Sequence, residues 1–239
     1  MEKYKKRQGY LRAVVIIVIL TGVVLAGLWW RQQQPEQEQN ESPAQQEQSL
    51  KTTVDRGFDE EGWQQMQERI EADQKALEEA VNEGENAITE RLQLGNSYYA
   101  AGELQKAVDE YDKILETHPN DPPALENKGQ ALYEMGDYYG AETAWRKAVS
   151  VDPQVHTYIK LDELYTEHLT ERYDEFGPML EEAVANLGQS RGLMIALGNW
   201  HKAQGNIDRA ISHYEIAIEL SDNADDLEEE LKELREMQE

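Results

Sequence analysis

The sequence predicts an all-α solenoid of stacked helical hairpins, preceded by one apolar transmembrane helix and a flexible linker. Three observations predict it. The stretches starting at Leu94 (LGNSYYAAGELQKAVDEYDKIL) and Leu197 (LGNWHKAQGNIDRAISHYEIAI) place small and aromatic residues alike but share few letters. Gly129 follows Gly95 by 34 residues, and Gly198 follows Gly129 by 69, which leaves room between them for one more unit of nearly that size. Residues 13–30, AVVIIVILTGVVLAGLWW, carry no charge over 18 positions.

Composition narrows the function classes. The chain has 239 residues, of which 39% are hydrophobic and 30% charged, enough apolar material for a core. Its formal net charge is −25, unevenly spread. Residues 1–31 hold Lys3, Lys5, Lys6, Arg7, Arg12 and Arg31 against Glu2, so the rest carries −30. A body that acidic repels phosphate backbones, which excludes nucleic acid as a partner. There is no cysteine. Disulfides, thiolate metal sites, thiol catalysis and a lipidated cysteine are excluded with it.

Residues 1–12 form a basic tail. The apolar run 13–30 spans about 27 Å as a helix, near the hydrocarbon thickness of a bilayer. Trp29 and Trp30 end it, as indoles do at a lipid–water boundary. The basic upstream flank places the N-terminus in the cytoplasm and the remainder on the outer side of the cytoplasmic membrane, periplasmic or extracellular. A cleaved signal peptide is the alternative, with VLAG (Val24–Gly27) as its cleavage site. The apolar run exceeds the ~7–15 residues of a signal core, which favours the anchor. Residues 31–58 read as a flexible Gln/Glu-rich linker, and 31–49 has no apolar residue larger than alanine.

Residues 59–84 predict a capping helix, with Trp63, Met66, Ile70, Leu77, Ala80 and Val81 along one stripe and Gly84 at its end. The same spacings suit a coiled-coil seam, an alternative that Asp73 in mid-seam disfavours. The repeats occupy 85–224, as units of about 88–121, 122–155, 156–190 and 191–224. In three of them a tight-packing glycine (Gly95, Gly129, Gly198) is followed by a second glycine (Gly102, Gly136, Gly205). Next come an alanine (Ala107, Ala141, Ala210) and an aromatic ring (Tyr111, Trp145, Tyr214). Ile114, Ala148 and Ala217 follow, and Pro119 and Pro153 close the first two units. Ala107, Tyr111 and Ile114 share one helical face. Such a hairpin cannot bury that face alone, so copies stack.

These marks resemble the tetratricopeptide repeat (TPR) family over roughly 59–239. The resemblance implies a right-handed superhelix whose first helices line a concave side that holds a peptide or partner helix. Unit 156–190 is degenerate: Leu164 takes the glycine slot, and its two helices are expected to splay. Residues 225–239 predict a second cap, with Leu227, Leu231 and Leu234 on one stripe.

No chemistry competes with this reading. The five histidines form no ligand pair, and no phosphate loop or nucleophile motif is present. The expectation is a non-enzyme with no cofactor and no metal. What remains is surface. By helical spacing Leu92, Asn96 and Tyr99 form a stripe apart from the packed face, and the repeat carries it to Glu126, Gln130 and Tyr133, then to Ile195, Asn199 and Lys202. In the degenerate unit Leu161, Tyr165 and His168 take these places. Amides mixed with rings suit an extended peptide; packing between neighbouring units is the alternative for the tyrosines. Some relatives clamp a terminal carboxylate with basic residues and asparagines, but Leu92 and Glu126 stand where bases are needed. The expected function is a membrane-anchored adaptor binding a protein or peptide partner, for assembly or maturation of an envelope complex. The alternative is a structural protein that associates with itself, as a homo-oligomer.

Overall fold

The computed structural model describes residues 50–84, 86–221 and 225–236. The basic tail, the expected transmembrane segment 13–30 and linker residues 31–49 lie outside the described residues. Among the described residues no helix is long and apolar enough to cross a membrane.

The described residues form ten α-helices, one 3-10 turn and no strand. Helix α1 (Glu60–Asn82) precedes four helical pairs: α2 (Ile88–Ala100) with α3 (Leu104–Thr117), α4 (Pro122–Met135) with α5 (Tyr138–Val151), α6 (Val155–Glu167) with α7 (Gly177–Leu187), and α8 (Arg191–Ala203) with α9 (Ile207–Glu219). A 3-10 turn (Thr170–Glu175) interrupts the third pair, and α10 (Asp225–Glu236) follows the fourth. This is an all-α solenoid of helical hairpins. The first helix of each pair is its A helix and the second its B helix.

Local signals start and stop these helices. Asp59, Asp121 and Asp137 accept from the backbone N–H of Gly62 (2.8 Å), Ala124 (2.9 Å) and Gly140 (2.9 Å), satisfying donors that a helix start leaves open. Ser190 does the same for Leu193 at 3.3 Å. Gly136 ends α4 in the left-handed region.

Three hairpins are held by a ring pressed onto a glycine. A Cβ built on Gly95 would lie 2.6 Å from the Tyr111 ring, one on Gly129 2.4 Å from Trp145, and one on Gly198 2.5 Å from Tyr214. All three rings are fully buried. Their polar atoms stay satisfied, as buried polar groups must. Tyr111 donates to Asn96 Oδ1 at 2.9 Å, Tyr214 to Asn199 Oδ1 at 2.7 Å, and Trp145 Nε1 to Glu126 O at 3.1 Å.

The third pair departs from the others, and its register corrects the sequence reading. The buried positions of α6 are Thr157, Tyr158, Leu161, Asp162, Leu164 and Tyr165. Shifted back by 33 residues they overlay those of α4, which puts Asp162, not Leu164, opposite Gly129. A side chain in the slot keeps a ring from pressing in. Tyr173, on the 3-10 turn, instead donates to Asp162 Oδ1 at 2.7 Å. The turn is tied down from both sides. Arg172 pairs with the buried Glu142, and the Trp200 indole donates to Tyr173 O at 3.1 Å. Trp200 also lies on the start of α7, where a Cβ on Gly177 would be 2.2 Å from its ring. Helix α7 packs more on α8 than on α6, so the third pair does splay.

Helix α1 packs on α2, burying Ile70 and Ala80 with Trp63, Met66 and Leu77 half-covered; Val81 is exposed. Asp73, the residue that interrupts the heptad pattern, accepts from the Ser97 hydroxyl of α2. At the other end Leu227, Leu231 and Leu234 are buried against the repeats.

Candidate functional site: the face of the A helices

The predicted stripe divides into three groups. Asn96, Tyr99 and Gln130 come together, lining with Tyr111 and Asn127 a cavity of about 180 Å³. Leu92 and Ile195 are half-buried against the core. Asn96 and several of the remaining residues also tie one unit to the next. Asn96 Oδ1 accepts from Asn127 Nδ2 at 2.8 Å, and Glu126 accepts from the Thr157 hydroxyl and lies 2.7 Å from His156 Nε2. Asn199 Nδ2 donates to Asp162 Oδ2 at 2.8 Å. Lys202 pairs with Glu230 of α10.

Tyr165 is the stripe residue that the structure removes. It is fully buried, donating to Glu142 Oε1 at 2.5 Å and accepting from Arg146 at 2.9 Å. Leu161 is core as well, and His168 caps the end of α6, stacked on Tyr138 at 3.8 Å. The cause is the register. With Asp162 in the slot, the counterparts of Glu126, Gln130 and Tyr133 are Ile159, Glu163 and Thr166, and all three are exposed.

Tyrosines link neighbouring A helices through carboxylates. Tyr99 donates to Glu134 Oε1. Burial and then Glu134 push the Tyr99 phenol up to about 12, so it stays a donor. Tyr133 donates to Glu163 Oε1 at 3.1 Å and reaches Glu167 Oε2 at 3.5 Å. Burial and these two acids raise its pKa too.

Sequence spacing missed one participant entirely. Residues 50–58, the end of the expected flexible linker, run as an extended strap across the C-terminal ends of α2 and α4. Lys51 N donates to Met135 O and Val54 N to Gly102 O, both at 2.9 Å, while Gln105 N donates to Thr52 O at 3.1 Å. The strap needs Gly102 to be bare, since a Cβ there would come within 2.0 Å of Val54 O. Arg56 fixes its end. Its guanidinium donates to Glu134 Oε2 at 2.8 Å and to Tyr99 O at 3.1 Å, 5.0 Å from the Tyr99 ring centroid. The ends of two A helices and the turn after the first thus already hold this segment by main-chain bonds, and its one arginine reaches onto the A-helix face at Tyr99 and Glu134.

A larger cavity, about 610 Å³, lies between α3, α4 and α5 among Val108, Leu125, Tyr139 and Lys147, away from the stripe. Among the described residues no group of three or more His, Cys, Asp or Glu side chains could hold a metal.

Comparison with known proteins places these repeats. TPR family models match residues 95–136, 122–155 and 193–228. TPR units are protein–protein interaction modules, and the three family models reported are all of this repeat. Among solved structures, the chain is similar to the MamA protein, with TM-score 0.55 and 19% identity over 70% of this chain and 88% of that one. A second MamA structure gives TM-score 0.53 and 17% identity over 68% and 94%. YrrB, described as a TPR protein with an unusual peptide-binding site, gives TM-score 0.51 and 22% identity over 64% and 76%. At these identities the likeness concerns the fold.

Proposed function

We propose that this protein is a non-catalytic, membrane-anchored TPR adaptor that holds an extended segment of a partner protein on its A-helix face. Residues 13–30 anchor it, the N-terminus is cytoplasmic, and the repeats stand on the outer side of the cytoplasmic membrane, serving assembly or maturation of an envelope complex. The strap carries the reading. An extended chain bound through Met135 O, Gly102 O and Gln105 N, with its arginine on Tyr99 and Glu134, is the form of recognition a peptide groove needs. The exposed residues beyond it, Ile159, Glu163 and Thr166, extend the same face.

Self-association is the competing reading. The coiled-coil seam is lost to it, because the stripe of α1 is spent on α2 and Asp73 is bonded to Ser97; pairing through the A-helix face is its other route. A photo-crosslinking residue at Gln130 or Ile159 of the full chain, with Lys147 as the control on the far cavity, separates the readings. The adaptor predicts adducts with a different polypeptide from Gln130 and Ile159 only. Adducts with a second copy alone support self-association, and equal adducts from Lys147 remove the groove. The absence of cysteine makes topology simple to test. A single cysteine at Glu116 should react with a membrane-impermeant maleimide on cells or spheroplasts, and complete protection would reverse the orientation.

A further inference from the structure

We propose that Tyr133, Glu163 and Glu167 form a second guanidinium pocket, which takes an arginine from an extended segment of the partner protein. The inference rests on the groove reading above and specifies the chemistry of its ligand. The first copy of the pocket is the one filled by Arg56. There a tyrosine late in one A helix donates to a glutamate late in the next, and the guanidinium bonds that glutamate beside the ring. Tyr133 is the 34-residue counterpart of Tyr99. Glu134 follows Tyr99 by 35 residues and Glu167 follows Tyr133 by 34, the one-residue difference being the shorter third unit. The Tyr133 hydroxyl accordingly meets Glu167 at 3.5 Å, and Glu163 adds a second carboxylate at 3.1 Å.

The copies differ in a way that suits a ligand from outside. Glu134 is mostly covered and neutralised by Arg56, whereas Glu163 and Glu167 are exposed. Among the described residues neither makes an ion pair with a lysine or arginine; only His168 Nε2 approaches Glu167, at 3.7 Å. His168 stands edge to face with Tyr133 at 5.4 Å and lies flat on Tyr138. Two carboxylates beside a tyrosine and a stacked imidazole favour a planar cation over an ammonium. A guanidinium offers a fork of donors and a flat face at once.

The test uses the full chain and a labelled peptide of the strap sequence, Lys51 to Phe58, acetylated and amidated, followed by fluorescence anisotropy. Its partner probe carries citrulline, an uncharged isostere, in place of the arginine. The arginine peptide is expected to bind at least about tenfold more tightly, the loss of a charge-assisted pair. The double variant Glu163→Gln, Glu167→Gln should abolish the difference, with its circular dichroism unchanged because both side chains are exposed. Equal binding of the two peptides would overturn the pocket while leaving the groove in place. So would loss of the preference in Glu134→Gln but not in the double variant, since the peptide would then be displacing the strap. Binding of neither peptide also overturns the pocket, and the crosslinking above judges the groove separately.

Discussion

Asn199 holds Asp162. Its Nδ2 donates to the carboxylate at 2.8 Å while its Oδ1 accepts from Tyr214 at 2.7 Å, so one amide joins the degenerate third unit to the regular fourth. Helical spacing alone would make Asn96→Ala with Asn199→Ala a mild change that weakens partner capture and spares stability. The bonds reverse that expectation. Asn199→Ala leaves a buried carboxylate and a buried phenol short of a partner and should cost about 1–3 kcal/mol, measured by urea denaturation. A midpoint shift no larger than that of an exposed control such as Glu219→Ala would contradict it.

The glycine slot makes a second prediction. Gly129→Ala forces a methyl to 2.4 Å from the Trp145 ring and should destabilise the protein by about 1–3 kcal/mol through overpacking. Trp145→Ala empties the same site and should cost about 3–5 kcal/mol. If the two substitutions together restore part of what each loses, the contact between them is confirmed by a double-mutant cycle; strict additivity would deny it.

His201 and His213 give a pH dependence. Their rings stack at 5.1 Å, and the Nδ1 of each is buried without a hydrogen-bond partner. Burial first, then Arg209 and, for His201, the neighbouring His213, hold both imidazoles below the ordinary 6.5; Glu181 opposes the shift. The unfolded chain therefore binds these protons at a higher pH than the folded chain does. Stability is fully present above 6.5 and falls as the pH drops through the folded values. The melting temperature should decline from pH 7 toward pH 5 in the wild type, and less in His213→Gln. Identical slopes in both proteins would remove the pair as a cause.

A third-unit variant tests the register directly. Asp162→Gly restores the small residue of the other slots but strips the acceptor from Tyr173 and Asn199. The 3-10 turn should loosen, and limited proteolysis should cut within 170–177 before anywhere else in the repeats. Leu164→Gly should instead behave as an ordinary core truncation, costing about 2–5 kcal/mol.

Much of this architecture is legible in the letters, for a mechanical reason. Gly95 under Tyr111 and Gly198 under Tyr214 are contacts that any added side chain would crowd, so they recur where solvated positions drift. The third unit obeys no such rule. Its slot holds a carboxylate, its step is 33 residues, and both registers place apolar residues on a helical face; Tyr165 falls in the core for that reason. Asp162 is a charged residue in a buried row, and it was the available clue. The strap was harder to foresee. LKTTVDRGF has no helical period and little apolar area, and its bonds run through the backbone, which spacing does not record.

The central claim is the proposal that the A-helix face grips extended polypeptide, and its support is the strap, seated on the ends of two A helices with its arginine on Tyr99 and Glu134. Amide hydrogen exchange of the full chain tests it most directly at Lys51, Val54 and Gln105, whose N–H groups carry the bonds to Met135, Gly102 and Thr52. The account predicts protection at all three in the wild type and its loss at Lys51 and Val54 in Arg56→Ala, with the Tyr111 and Trp145 regions unchanged. Exchange of Lys51 and Val54 at the rate of a free peptide in the wild type would contradict it.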